Sequence, residues 1–293
     1  MKMKRIAAFA LIAVLALSLC ACSVRPQKMK TWNFDFTDTV TALEISEVHC
    51  DVIFKASPDK GCHVEIYDVN TSDHEAEVKN GTLILECETV SHFNFVGLFS
   101  LFSSRKACTV TVSLPAGSYD TLDLATVSGD VKIPDDFSFS GDVDITTTSG
   151  DVDMEPERCG DLRITTVSGD LELEDMLCEN LWVITTSGDL HLEDVETVGM
   201  DLETTSGDVS LDRTVTDTLE VETVSGDVSL EKIDTEKAEI ETVSGDVKGT
   251  LRRDMDVTTQ TTSGTVRVPD GGSEGTCRVE TVSGDIFLQV NKE

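Results

Sequence analysis

Residues 219–230 read LEVETVSGDVSL, and apolar positions alternate with polar ones along them. Leu219 and Val221 share a parity with Thr223 and Ser225, while Glu220 and Glu222 take the other. Period-two alternation is the signature of a strand with one buried face. After Ser225 the parity slips by one, so the next apolar pair is Val228 and Leu230. Such a slip turns every later side chain to the opposite face unless the backbone bends there. Ser-Gly-Asp is therefore predicted to be a corner between two strands. Glycine supplies the unusual backbone, and small Ser and Thr fit the inside of the bend.

The arrangement recurs. The glycines of the Thr-x-Ser-Gly units stand at 129, 150, 169, 188, 207, 226, 245, 264 and 284, a period of 19 interrupted by one step of 21 and one of 20. Three residues before each glycine stands Thr, and two after it Val, Leu or Ile. Asp follows the glycine in eight units, with Thr265 the exception. One such unit cannot bury its apolar face, whereas stacked units pairing in parallel build a continuous core. The pattern predicts an all-β parallel solenoid with about nine regular 19-residue rungs. Each rung is a strand, a corner, a second strand and a short polar return. At ~4.8 Å per rung the rod is roughly 43 Å long.

Upstream the pattern loosens. LEISEVHCDVIF (43–54) fits a unit with Cys50 in the glycine's place, which predicts a degenerate first rung. The segments at 62–67, 82–88 and 108–115 alternate as strands, and Asn80-Gly81 reads as a hairpin turn. Residues 34–115 are expected to form an irregular N-terminal cap, and 116–293 the regular repeats. Within the cap, HFNFVGLFSLFSSRK (92–106) has two readings. It plugs the open end of the core, or its Phe93, Phe95, Phe99 and Phe102 contact a membrane or a partner.

The first residues change the picture of location. MKMKR followed by an apolar run from Ile6 to Leu19 reads as a secretory signal, being too short for a comfortable membrane span. Leu19-Cys20-Ala21-Cys22 resembles a bacterial lipobox. Cleavage before Cys22 leaves small Ala21 at the cut, so residues 1–21 are expected to be removed and Cys22 to carry the lipid. Residues 22–33 then form a polar tether, with basic side chains suited to anionic headgroups. The expected location is the extracytoplasmic side of the cell membrane. With 55 acidic against 23 basic residues the formal net charge is −32, which argues against a nucleic-acid partner.

Chemistry is sparse. A nucleophile needs one base and one oxyanion site, so nine equivalent serines indicate architecture rather than catalysis. His191 is expected to face solvent alone. No catalytic residue is assigned, and no C-x-x-C pair or His cluster points to zinc. Asp130, Asp151, Asp170, Asp189, Asp208, Asp227 and Asp246 are expected to form a column. Adjacent carboxylates ~4.8 Å apart repel by roughly 0.9 kcal/mol in water, a tolerable cost if each caps turn backbone. The sharper reading is a calcium-binding ladder. Cys159 and Cys178 lie ten residues before their glycines in adjacent rungs, within expected disulfide reach. Cys62, Cys87, Cys108 and Cys277 share parity with apolar neighbours and are expected to be buried small hydrophobes.

The lipoprotein-type start, the irregular strand-rich segment and the serial T-[TV]-S-G-D-[VL] units resemble the bacterial putative-adhesin family with toastrack-like domains. The likeness spans roughly residues 34–293. It implies a single-stranded right-handed parallel β-helix at the cell envelope and offers no catalytic residues to match. The leading expectation is a non-enzymatic, lipid-anchored adhesin or interaction scaffold, whose partner is an envelope protein or an extracellular surface or polymer. The alternative is an envelope-stress sensing or assembly module bound to a membrane protein. A polysaccharide-active β-helix enzyme is a third; its acidic ladders would repel acidic glycans, and Trp182 alone could stack a sugar.

Overall fold

The computed structural model describes residues 29–69, 72–89 and 108–291. It is all-β, and its strands stack into a solenoid whose rungs pair in parallel. Each regular rung puts one strand in each of two ladders. Strands before the corner pair in one ladder, as Leu162↔Leu181↔Met200↔Leu219. Strands after it pair in the other, as Leu171↔Leu190↔Val209↔Val228. Equivalent letters therefore lie over one another, and the apolar columns merge into one core running the length of the rod. A rung buries four apolar side chains at the corner-flanking strands, Leu219, Val221, Val228 and Leu230 in one case. At about 1.5–3 kcal/mol per side chain this far exceeds the mutual repulsion of the exposed carboxylates.

The return between rungs is not merely polar. It contributes inward Phe137, Phe139, Met176, Cys178 and Val195, all buried. Tyr119, Phe54 and the two phenylalanines form an aromatic cluster with ring centroids 6.0–6.5 Å apart. A second corner follows each regular rung's second strand. There Asp175, Asp194, Arg213 and Lys232, again 19 residues apart, take φ of 50–55°.

The Ser-Gly-Asp corner is where the rungs approach most closely. A Cβ on Gly226 would lie 1.8 Å from the Gly207 carbonyl oxygen, and the same clash recurs from Gly129 to Gly284. Glycine is needed here for space rather than for a positive φ. The threonine three residues earlier is buried, and its hydroxyl accepts the glycine N–H in most rungs, as Thr223 does for Gly226 at 3.0 Å. Serine departs from expectation: Ser225 faces solvent, and the glycine itself occupies the inner bend.

Both ends depart from chain order. The unit at Gly284 stacks directly on the unit at Gly245, and the unit at Gly264 lies outside it as the last rung. At the other end the first seven strands are β1 (Met29–Phe36), β2 (Ala42–Ser46), β3 (Asp51–Ala56), β4 (Cys62–Val69), β5 (Ser72–Lys79), β6 (Thr82–Thr89) and β7 (Thr109–Leu114). β2 and β3 are the degenerate rung, seated between the β6–β7 rung and the first regular one. β5 joins β6 through the Asn80-Gly81 hairpin, and β4 and β1 add antiparallel strands beside β7. This antiparallel cap closes the N-terminal edge, which would otherwise offer a free pairing surface.

Cysteine pairing differs from the expected one. Cys50 and Cys108 occupy the glycine column in adjacent rungs and form a disulfide, with Cα atoms 4.5 Å apart. Cys159 and Cys178 do stack side by side in adjacent rungs but are free, buried thiols. Cys62 and Cys277 are buried among apolar residues as expected.

Candidate functional site

The corners line up into an exposed edge with two columns. In the first, each aspartate turns Oδ1 toward the next rung and accepts its backbone N–H. Asp151 N–H donates to Asp130 at 3.0 Å, Asp208 N–H to Asp189 at 2.8 Å and Asp246 N–H to Asp227 at 2.8 Å. The column starts earlier and ends later than its regular members. Asp51 receives Asp130 N–H, Asp285 N–H donates to Asp246, and Thr265 N–H donates to Asp285. The transposed last rungs thus explain the one missing aspartate. Thr265 sits in the terminal rung, where no further N–H needs an acceptor. The Lys248 ammonium, with the Asp285 N–H, holds the Asp246 carboxyl below its usual range.

Because the N–H of the following rung engages Oδ1, each aspartate has one further carboxylate oxygen, which at Asp246 accepts from Lys248. Calcium takes six to eight oxygens, so one ion would have to span several rungs. On the hydrogen-bonding role alone, millimolar calcium is expected to raise the melting temperature no further than NaCl at matched ionic strength. A larger calcium-specific shift in thermal denaturation would assign the column to the ion.

The second column stands one residue before the serine and is β-branched in every unit. Val127, Val224, Val243 and Val282 are 44–51% exposed. An evenly spaced stripe of Val and Thr thus runs beside an evenly spaced acidic one.

A different chemistry fills the first corner. Register aligns Glu47 with Thr126, so Glu stands where regular corners carry threonine. Its neighbours point inward by the same alternation that buries Leu43 and Ile45. Cys87 follows Leu83 and Leu85 on β6, His74 faces Cys87 from β5, and Asp68 follows Ile66 on β4. The side chains of Glu47, Asp68 and His74 have no solvent exposure. His74 Nε2–H donates to Asp68 Oδ2 at 3.0 Å, and His49 Nε2–H donates to Asp68 Oδ1 at 2.9 Å. Val48 N–H donates to Glu47 Oε2 at 3.0 Å. Glu47 Oε1 and His74 Nδ1 lie 3.1 Å apart without an aligned hydrogen bond. Burial alone would lower the His74 pKa, but Asp68, Cys87 and Glu47 outweigh it and push the imidazole up to about 11. Burial pushes the Cys87 thiol up, and His74 partly opposes this. Trp32 covers His74 edge-on at 4.9 Å.

The reading of the residues missed this cluster. Glu47, His74 and Cys87 lie on three different segments, and the local signals were the parity of Cys87 with Leu83 and Leu85 and the place of Glu47 in the threonine column. His191 is half-exposed as expected but is not alone, with Glu174 and Glu193 close by. Trp182 lines a shallow groove with Asn180, Asp201 and Glu220, and Arg163 stacks over its ring at 4.9 Å. Cys22 and the loop bearing Phe93, Phe95, Phe99 and Phe102 lie outside the described residues.

Two solved structures share the architecture at low identity. A protein described as a putative lipid binding protein from Parabacteroides distasonis matches with TM-score 0.55 and 15% identity, over 89% of this chain and 96% of its own. A putative adhesin from Parabacteroides merdae matches with TM-score 0.53 and 14% identity, over 89% and 96% respectively. These likenesses establish the fold alone. No curated protein matches the chain. Residues 40–289, from the degenerate first rung to the last strand, match the family described as Toastrack DUF4097, and the chain belongs to that family.

Proposed function

We propose that the protein is a non-enzymatic interaction scaffold of the cell envelope, held at the membrane by lipid on Cys22 and acting in the manner of an adhesin. One observation carries this reading: the corner edge repeats the same Val/Thr and Asp surface at every rung. A catalytic centre is made once per chain, whereas a uniform ladder suits a partner that is itself repetitive, such as a surface polymer or a protein array. The description of one fold relative as a putative adhesin is in line with this.

The exposed valines are the apolar part of that surface, so they are the place to test it. The chain from residue 23, immobilised, is expected to retain a component of detergent-solubilised envelopes. Val224→Glu with Val243→Glu is expected to weaken retention by more than about tenfold without changing the fold, since both side chains are exposed. Equal retention by the double variant would remove the corner edge from the binding surface.

A further inference from the structure

We propose that Glu47 Oε1, His74 Nδ1 and Cys87 Sγ form a site for one divalent transition-metal ion of the zinc class, with Asp68 orienting the imidazole from outside. Carboxylate, imidazole and thiolate are the three donor types that zinc takes from proteins. One donor atom from each residue lies within 4.8 Å of the others. The Glu47–His74 separation of 3.1 Å is close to the ~3.4 Å edge of a tetrahedron with ~2.1 Å bonds.

Two further features single out this cluster. Glu47 Oε1 and His74 Nδ1 are fully buried polar atoms that face each other without an aligned hydrogen bond. They form a fully buried pair at 3.1 Å, and a cation bound between them would take the place of the proton they share. The other imidazole nitrogen is bonded to a fully buried carboxylate, Asp68, which is the arrangement that fixes tautomer and ring orientation in metal-bound histidines. Three protein donors leave a fourth position open. The second polar group at this corner, around His49 and Asp68, has its cysteines tied in the Cys50–Cys108 disulfide and offers no thiolate.

Cobalt(II) is the probe. Added to the purified chain from residue 23, without oxygen or reductant so that the disulfide stays intact, it is expected to bind one to one. The complex should show thiolate-to-cobalt charge transfer and the intense ligand-field absorption of a four-coordinate ion, and zinc should bleach both. Cys87→Ser should abolish the charge transfer, and Glu47→Gln should weaken binding by at least about tenfold. Absence of the absorption, or its persistence in Cys87→Ser, would overturn the assignment, because Cys62, Cys159, Cys178 or Cys277 would then be the sulfur donor. A readout without variants protects the test from folding defects. Zinc is expected to slow alkylation of Cys87 by more than about tenfold in the wild-type chain. Unchanged labelling at Cys87 counts against the site.

Discussion

Gly226→Ala is expected to cost more than about 4 kcal/mol, placing it among the most damaging single substitutions available to this chain. The added Cβ would lie 1.8 Å from the Gly207 carbonyl oxygen and 2.7 Å from its carbon. Both are backbone atoms of the rung below, so no rotamer change relieves the contact. Relief requires the rungs to part by more than an ångström. That breaks the parallel hydrogen bonds flanking the corner, including Ser225 N–H to Thr205 at 3.1 Å and Val209 N–H to Asp227 at 2.9 Å. Ser225→Ala, one residue away and facing solvent, is expected to change stability by less than about 0.5 kcal/mol. Urea unfolding of the two variants beside the wild type makes the comparison, with protease sensitivity as a second probe. Stack stability depends on nearest-neighbour interfaces, so the loss should appear as cleavage near that corner before the rod unfolds as a whole. If Gly226→Ala costs no more than Ser225→Ala, steric contact at the glycine column is not what sets the rung spacing.

His74→Ala is expected to destabilise the N-terminal cap by about 3–5 kcal/mol, measured in the presence of a chelator. The wild-type imidazole lies between two carboxylates with no solvent exposure, bonded to Asp68 at 3.0 Å and 3.1 Å from Glu47. Removing it leaves Asp68 with His49 and Glu47 with the Val48 N–H as their remaining partners, so the desolvation of two buried acids is then only partly compensated. Buried ionic groups often stabilise less than apolar ones of similar volume, so the converse variant is informative. Replacing the cluster together, with Glu47→Thr to restore the regular corner residue, His74→Leu and Asp68→Val, is expected to recover most of the loss. The sum of the three single losses would greatly exceed the loss in the combined variant, which a mutant cycle measures directly. A cost below about 1 kcal/mol for His74→Ala would mean that the carboxylates find water, and that the cluster is wetter than its geometry states.

These two regions were unequally legible. The glycine corner announces itself: a parity slip between Ser225 and Val228, repeated every nineteen letters, admits one backbone solution that keeps both strands' apolar residues on one core. Serine was assigned to the wrong side because the slip locates the bend but not which of its small residues points in. The cap cluster was half legible. Parity placed Glu47 and Cys87 inward, since both extend clean apolar alternations. Asp68 and His74 reach the same point from β4 and β5, antiparallel strands whose pairing no repeat specifies.

The amino-acid sequence by itself determined the rung, its corner, its core columns and the acidic and β-branched edge, because each is written locally and copied nine times. Only the tertiary structure decided the order in which rungs stack and what gathers at the ends. Parallel pairing between near-identical strands is degenerate: the unit at Gly284 fits on Gly245 as well as the unit at Gly264 would. The Gly284 unit takes the place next to Gly245, and Thr265 in the outermost rung is the trace of that order in the letters. The disulfide joins Cys50 to Cys108 across 58 residues because β3 stacks on β7, a neighbourhood that equal spacing along the chain does not encode.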